Sequence, residues 1–252
     1  MLISSGAVAD GQLNLSLGYE QTSGDYGLTN DTDITTIPFV AQYTEGTWRV
    51  TLTIPYISVT GDGSIVPGSH GGTGGHGMMN TTGSGGALVQ ETHSGAGDIT
   101  TSVSHAFLPA NDHYMFYELT GSVKWGTASA RDNLGTGEND FSLKLFGKYE
   151  KHNLKPFVSV GYLFVGDTNS VDYNDARFAS LGLVYQFAPQ TSFSLVYDYQ
   201  QATSDGSDDG RLVSLYINRT LNRQWSANVY LLKGLSDSEA DTGVGFTVIH
   251  SY

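Results

Sequence analysis

The sequence predicts an all-β fold, a twelve-stranded antiparallel transmembrane β-barrel of the bacterial outer membrane. Runs of about ten residues alternate apolar and polar side chains, which is the pattern of a strand whose two faces meet different surroundings. About ten residues is also the length that a tilted strand needs to cross a bilayer. The connections between the runs are alternately tight and long, which is the asymmetry of outer-membrane barrels.

The composition agrees with one large β domain and excludes several other classes of protein. The chain has 252 residues, 15% of them charged, and no Cys, so a disulfide framework and a thiolate metal site are both excluded. Its formal net charge of −13 disfavours nucleic-acid binding. No apolar run is long enough for a membrane helix. The alternative, a large soluble β-sandwich or barrel, is disfavoured because the predicted outward face is apolar along the whole chain.

The alternation is clearest between His113 and Phe164. In the run 113–125, one face carries Met115, Tyr117, Leu119, Val123 and Trp125. The opposite face carries Phe116, Glu118, Thr120, Ser122 and Lys124. We expect the first set to face lipid and the second to face the lumen, because the strands of such barrels alternate between an apolar outer and a polar inner face.

The same pattern places twelve strands along the chain. We expect them at residues 12–21, 37–43, 48–56, 98–107, 113–125, 139–149, 156–164, 181–187, 193–199, 213–217, 225–231 and 244–252. Tight turns follow the even-numbered strands and longer polar loops follow the odd-numbered ones, and the strand count is even, as in bacterial barrels. The chain ends on Tyr252 within an alternating strand, like the C-terminal signal by which outer-membrane barrels are recognised for assembly.

Two segments stand apart from the barrel that we assign to residues 12–252. Residues 1–11 contain Ala7-Val8-Ala9, which fits a cleavage site, but Met1–Ser5 is too short for a signal-peptide core. This segment is therefore either a signal remnant or a tail retained in the periplasm or lumen. The longest loop, 61–97, is glycine-rich, and we expect it to be extracellular and to fold over or into the barrel mouth.

Three charged residues fall on the lumen face at the ends of neighbouring strands. Asp98 begins the fourth strand, Lys124 ends the fifth and Asp140 begins the sixth. Neighbouring positions of a hairpin lie within side-chain reach, so we predict an Asp98–Lys124–Asp140 ladder just below the mouth. Two roles remain open for it: neutralising charge inside the barrel, or forming an electrostatic constriction.

Charged and aromatic side chains share the rest of the predicted lumen face. The charged set is Arg49, Glu118, Lys144, Lys148 and Lys155. The aromatic set is Phe116, Phe146, Phe157, Tyr216 and Tyr230. An apolar track beside charges suits small, partly hydrophobic solutes, although a narrow barrel also fills part of its interior with side chains.

Two further features concern the barrel wall and its rim. Acidic residues cluster in the predicted extracellular loops, either as a solvated surface or to bind divalent cations. Arg177 and Arg211 begin two strands with lipid-face parity, and we expect them to face lipopolysaccharide phosphates. Pro38 and Pro55 are predicted neighbours within one hairpin, where two missing backbone donors mark a lateral seam in the wall.

Catalytic and metal sites find little support. His70, His76 and His93 lie in the long loop, where a metal site is less expected than an irregular segment. His105 and His250 have outward parity, but neither has the serine partner that a lipid-cleaving barrel would need. We therefore predict no cofactor, no metal and no enzymatic activity.

Several glycine-rich motifs resemble one known family. They are Gly95-Ala96-Gly97-Asp98-Ile99, Gly121-Ser122-Val123-Lys124-Trp125-Gly126-Thr127, Gly135-Thr136-Gly137-Glu138-Asn139-Asp140-Phe141 and Val160-Gly161-Tyr162. The chain is similar here to the outer-membrane channel-like proteins described as involved in the meta-pathway of phenol degradation. That family usually has a proline where Trp125-Gly126 stands. Asp98, Lys124 and Asp140 fall on its motif positions, and the resemblance implies a twelve-stranded barrel that admits small hydrophobic or aromatic compounds.

The expected function is therefore passive uptake of small hydrophobic or aromatic molecules through a monomeric outer-membrane channel. Its expected partners are membrane lipid, lipopolysaccharide and the solute. Two alternatives remain: a closed structural or adhesive barrel whose loops bind a partner, and a barrel enzyme that modifies lipid.

Overall fold

The structure is a computed structural model. It describes residues 11–63, 65–67, 77–79, 90–107, 114–168 and 171–252, with residues 77–79 described by their backbone alone. The expectations for residues 1–10 and for His70 and His76 therefore lie outside the described residues.

Fifteen strands and one short 3-10 helix make up the described fold. The strands are β1 (Gln12–Gly24), β2 (Thr32–Glu45), β3 (Trp48–Gly61), β4 (Ile65–Pro67), β5 (Gly77–Met79), β6 (Glu91–Ala96), β7 (Ile99–Phe107), β8 (Met115–Trp125), β9 (Asp140–Tyr149), β10 (Leu154–Phe164), β11 (Ala176–Ala188), β12 (Thr191–Gln200), β13 (Gly210–Thr220), β14 (Trp225–Gly234) and β15 (Thr242–Ser251). The helix spans Ala130–Asp132. Among the described residues, no helix is long and apolar enough to cross a membrane.

The strands close into an antiparallel barrel of twelve strands, which confirms the predicted fold. Each strand pairs with its neighbours in chain order, and β1 pairs with both β2 and β15, which closes the ring. β3 pairs with β6 near one end and with β7 near the other, so β6 and β7 act as one wall strand. β4 and β5 form a separate two-stranded ribbon.

The connections divide the barrel into two ends. Short turns, such as the two residues between β2 and β3 or between β11 and β12, mark what we call the turn end. The longer connections 25–31, 62–90, 126–139, 165–175, 201–209 and 235–241 mark the loop end. The tight turn expected after the fourth predicted strand lies outside the described residues.

The strands reach farther toward the loop end than the sequence pattern predicts. The loop expected at 61–97 is shorter in the structure, because Glu91–Ala96 forms β6 and pairs with the end of β3. The pairing of β3 with β7 differs by one residue from its pairing with β6, so Gly97 and Asp98 form a β-bulge. Alternation of apolar and polar residues misses β6 because Glu91–Ala96 is almost entirely polar or small and does not alternate.

The two faces of the wall differ as expected. The outer face carries exposed apolar side chains, for example Leu17, Leu181 and Leu231, which are 57%, 63% and 56% exposed. The inner face holds the buried polar and charged side chains, among them Gln42, Glu118 and Lys148. Such a surface suits apolar surroundings outside and polar ones inside.

The expected lateral seam between Pro38 and Pro55 is not present within their hairpin. The two prolines face each other, and the register between β2 and β3 runs through them without a shift. The irregularities lie instead in the two pairings that flank this hairpin. Between β1 and β2, Gly18 and Tyr19 are left unpaired with β2. Between β3 and its other neighbour, the Gly97–Asp98 bulge separates β6 from β7. Each proline therefore disturbs the pairing of its strand with the strand outside the hairpin, where the missing N–H is needed.

Aromatic rings lie flat against the inner wall over glycines. Gly182 is paired with Phe157, and Gly245 is paired with Tyr230, each directly across two neighbouring strands. A β-carbon at either glycine would overlap the ring of its partner. The absence of a side chain at the glycine thus lets the ring cover the wall instead of projecting across the lumen.

This packing predicts that Gly182→Ala lowers the free energy of unfolding by about 1–3 kcal/mol, because overpacking forces the Phe157 ring to move. Gly121→Ala is the matched control, since no atom lies within 4 Å of a β-carbon placed there. Urea titration of each variant in lipid vesicles measures the difference. Equal stability of the two variants would contradict this account of the inner wall.

Candidate functional site: the barrel interior

The three charged residues expected at the mouth meet inside the barrel. Lys124 Nζ lies 2.7 Å from Asp140 Oδ2 and 3.4 Å from Asp98 Oδ2. All three side chains are at most 8% exposed. Lys124 is paired directly with Asp140 in the β8–β9 register, and Asp98 is brought in by the bulge that precedes β7.

This triad also fastens two loops to the wall. Asp98 Oδ1 accepts a hydrogen bond from the Ala128 backbone N–H at 2.8 Å, and Asp140 Oδ1 accepts one from the Gly166 N–H at 3.0 Å. Ala128 belongs to the connection after β8, and Gly166 to the connection after β10. Each carboxylate therefore binds Lys124 with one oxygen and a loop backbone with the other. The triad thus attaches two loops to the barrel wall.

A second group of charges lies deeper in the barrel. Arg49 Nη1 lies 2.7 Å from Glu118 Oε2, and these two side chains are 13% and 7% exposed. Lys144 lies on the inner face of β9, near the carboxylates of Glu118 and Asp198. Asp198 Oδ1 in turn accepts a hydrogen bond from the Ser180 hydroxyl at 2.5 Å. Charges from β3, β8, β9 and β12 thus compensate one another in the interior.

The aromatic set forms two groups on opposite parts of the wall. Phe146 lies between Phe116 and Phe157, with ring centroids 6.2 Å and 5.5 Å away. Lys148 Nζ lies 5.7 Å above the Phe116 ring and 2.5 Å from Glu150 Oε1. These side chains line the half of the lumen nearer the turn end, because they occupy the beginning of β8 and β10 and the end of β9.

The second aromatic group lies on β13 and β14. Tyr216 and Tyr230 are directly paired, with ring centroids 5.2 Å apart. The Tyr230 hydroxyl donates a 2.6 Å hydrogen bond to Glu20 Oε2 on β1. Lys155 also occupies the inner face, on β10 near the turn end, and is half-buried.

The structure adds an apolar cluster at the mouth that the sequence pattern did not predict; we call it the mouth cluster. Its buried members are Tyr26, Ile34, Ile57, Val59, Ile65, Ala128, Leu134, Leu212, Leu232 and Ala240, with Leu28 and Tyr230 packed against them. These residues come from both sides of the β1–β15 closure and from four loop-end connections. The mouth therefore carries an apolar layer beside the charged triad.

Contacts between loops hold the mouth cluster in place. Asn30 Nδ2 donates to Asp62 Oδ2 at 3.3 Å, and Asn133 Nδ2 donates to the Gly63 carbonyl at 3.3 Å. The first loop also approaches the last one, because the Asp25 N–H donates to Asp241 Oδ2 at 3.4 Å. The described parts of four connections that are far apart in sequence thus contact one another at the mouth.

Tyr26 is the most constrained member of this cluster. Its φ of 51° lies in the left-handed region, which is uncommon for an aromatic residue, and its side chain is only 2% exposed. Burial raises the pKa of its hydroxyl above the ordinary value. The turn is supported by the Gly27 N–H, which donates to Asp25 Oδ1 at 2.9 Å. A backbone strain of about 1–3 kcal/mol at this position is offset by the contacts that hold the ring inside.

Other expected sites are placed as follows. Arg177 and Arg211 are exposed at the start of β11 and β13, where these strands leave the loop end. His93 is described, and its Nε2 lies 3.4 Å from Glu91 Oε2. Within the described residues, no group of three or more His, Cys, Asp or Glu side chains is arranged to hold a metal ion.

Comparison with solved structures finds the same fold in outer-membrane channels. The chain aligns over 100% of its length with 100% of an outer-membrane channel from Pseudomonas putida F1, with a TM-score of 0.66 and 15% identity. NanC porin follows, with a TM-score of 0.59, 8% identity and coverage of 94% of this chain and 98% of that one. KdgM porin, solved in complex with disordered oligogalacturonate, has a TM-score of 0.52, 9% identity and coverage of 95% and 99%. At these identities the likeness establishes the fold.

Comparisons of sequence find no counterpart: no family model matches the chain, and no curated protein matches it.

The buried triad predicts that the protein loses stability when Lys124 is removed. Lys124→Met leaves two buried carboxylates near each other without their cation, and we expect a loss of about 3–5 kcal/mol in the free energy of unfolding. The triple variant Asp98→Asn/Lys124→Met/Asp140→Asn removes the like charges and should recover part of that loss. Urea titration in lipid vesicles measures both. A Lys124→Met variant as stable as the parent protein would show that the triad does not hold the mouth together.

Proposed function

We propose that the protein is an outer-membrane channel for the passive uptake of small hydrophobic or aromatic molecules. The observation that carries this proposal is the inner wall itself. Aromatic rings lie flat over glycines there, and Arg49, Lys124 and Lys148 are each paired with a carboxylate. A small apolar solute would meet ring faces and compensated charges, which costs it less desolvation than a lumen of unpaired ions.

The mouth cluster supports selection for apolar solutes. A hydrophobic molecule can replace contacts between Leu134, Leu212 and Tyr26 with contacts of its own, whereas a sugar or an ion would leave its polar groups unsatisfied there. We infer that solutes enter along the barrel axis by displacing part of this layer, and that the triad acts as a fixed wall element beside the path.

The proposal extends to identity and setting. We infer that the chain belongs to the channel-like family whose glycine-rich motifs it resembles, that it resides in the outer membrane as a monomer, and that it has no enzymatic role and needs no cofactor. The fold of the P. putida channel supports this placement.

A closed barrel is the second candidate function, and one observation favours it. The buried members of the mouth cluster, from loops and wall, are at most 7% exposed, which is what a permanent closure would require. In that case the inward-folded loops would serve stability or partner binding, and no solute would pass.

The two candidates are separated by uptake of a labelled small aromatic compound, such as toluene, into cells with and without the protein. We expect protein-dependent uptake at low external concentration. Variants shortened within the connection 62–90, which leave β3 and β6 intact, should change its rate. Equal uptake with and without the protein would favour the closed barrel.

The mouth cluster generates a sharper prediction. Tyr26→Ala removes the ring that the first loop inserts, so we expect faster aromatic uptake and larger ion conductance in planar bilayers. Tyr185→Ala is the matched control, since Tyr185 is an outer-face tyrosine that is 46% exposed. If Tyr26→Ala and Tyr185→Ala conduct alike, Tyr26 does not obstruct the path.

Charge at the loop end predicts discrimination between solutes. Asp25, Asp172, Asp205 and Asp208 lie on exposed or half-buried connections at this end. These acids repel anions, so benzyl alcohol should permeate about tenfold faster than benzoate at low ionic strength. The ratio should fall as salt screens the charges. Flux into protein-containing liposomes measures it, and a preference for benzoate would contradict the proposed selectivity.

A further inference from the structure

Two hairpins repeat one arrangement of three side chains near the loop end. On β10 and β11, Tyr162 is paired with Arg177, and the Tyr162 hydroxyl donates to Asp175 Oδ2 at 3.2 Å. The other oxygen of Asp175 accepts the Val165 backbone N–H at 3.2 Å. We call this tyrosine, aspartate and arginine the first clamp.

The second clamp lies on β12 and β13 and follows the same plan. Tyr199 is paired with Arg211, and the Tyr199 hydroxyl donates to Asp209 Oδ2 at 2.8 Å. Asp209 Oδ1 accepts the Ala202 backbone N–H at 3.0 Å. These two hydrogen bonds, led by the Ala202 N–H, lower the pKa of the Asp209 carboxyl. In both clamps the aspartate stands two residues before the arginine, and both of its oxygens are engaged.

Each arginine is paired directly with an outward-facing tyrosine on the neighbouring strand. Among the described residues, neither guanidinium has a carboxylate oxygen within the 4.0 Å of an ion pair. β11 and β13 are separated only by β12, and Arg177 lies two residues along β11 from Ala179, the residue in line with Arg211, so the α-carbons of the two arginines lie about 12 Å apart. Lys233, on β14 next to Arg211, is 57% exposed and lies 3.6 Å from Asp241.

Arg177, Arg211 and Lys233 form a basic strip on the outer face, which is unusual on a chain with so many acidic residues. The protein has 12 Lys and Arg residues against 25 Asp and Glu. On the described wall, the basic side chains that point outward near the loop end are Arg177, Arg211 and Lys233, and all three lie on one side of the barrel, within β11–β14. Below them the outer face is apolar, as at Leu181 and Leu195, which are 63% and 52% exposed.

We infer that the two clamps form a docking surface for the phosphate groups of the lipid A part of lipopolysaccharide. The inference rests on the outer-membrane setting proposed above, in which the loop end lies in the outer leaflet. A guanidinium binds phosphate oxygens through two parallel hydrogen bonds, and the tyrosine and apolar side chains below it contact the sugar and acyl chains. Two such sites, with α-carbons about 12 Å apart, suit a headgroup that carries two phosphates.

Native mass spectrometry of the full-length protein in mild detergent tests this surface, with added bisphosphorylated lipid A as the ligand. The double variant Arg177→Ala/Arg211→Ala should bind it about tenfold more weakly than the parent protein, since charge-assisted contacts are lost. Arg219→Ala is the matched control, because Arg219 is an exposed arginine on β13 at the turn end that bonds Thr191 Oγ1.

Three outcomes would overturn the inference. The double variant could bind like the parent protein, the Arg219→Ala control could lose as much affinity as the double variant, or phosphatidylglycerol could bind these sites as tightly as lipid A. Measuring aromatic uptake by the double variant separates a failure of this inference from a failure of the channel proposal. We expect uptake to be unchanged, because the clamps lie outside the lumen.

Discussion

Closure of the backbone hydrogen-bond network between β1 and β15 is the constraint on which the rest of the molecule depends. In a bilayer no water can satisfy an open sheet edge, so the first and last strands must pair along their length. They do so over ten consecutive residue pairs. Once the ring is closed, every residue of the wall must face either outward or inward, and the inner face holds the buried polar and charged side chains.

That requirement explains how charge is handled in the interior. An isolated ion inside the barrel would be costly, and the described cations Arg49, Lys124 and Lys148 each lie within 2.7 Å of a carboxylate oxygen. The triad at Lys124 does more than neutralise charge, since its two aspartates also bind the backbone of loops after β8 and β10. The wall and the loops are therefore stabilised by the same three side chains.

The mouth combines this charged element with an apolar one. Strained Tyr26 and buried Leu134 belong to connections, yet they pack with Ile57 and Leu212 of the wall. A channel that admits apolar solutes and a barrel that is permanently closed both need such a layer. The open channel and the closed barrel differ in whether a solute can displace the mouth cluster. That depends on how strongly the contacts between loops hold the cluster in place.

Residue alternation and turn chemistry were enough to predict the strand number and the two faces, because each strand residue has only two directions to choose from. The partners of Lys124 were also predictable, since hairpin connectivity makes Asp140 its neighbour. The Gly97–Asp98 bulge could not be predicted from alternation, because Glu91–Ala96 has no alternating apolar residues to show which face each of its residues occupies. The sequence did predict that Pro38 and Pro55 are neighbours in one hairpin, but it did not predict that the register between β2 and β3 runs through them without a break.

The mouth cluster was decided by tertiary structure alone. Tyr26, Ala128, Leu134 and Ala240 lie in connections without periodicity, separated by up to about two hundred residues of chain, and their meeting depends on barrel closure bringing the first and last loops together. Local sequence specifies which way a strand residue points because the backbone repeats every two residues. It does not specify how far a loop folds inward, because that depends on contacts with loops distant in the chain.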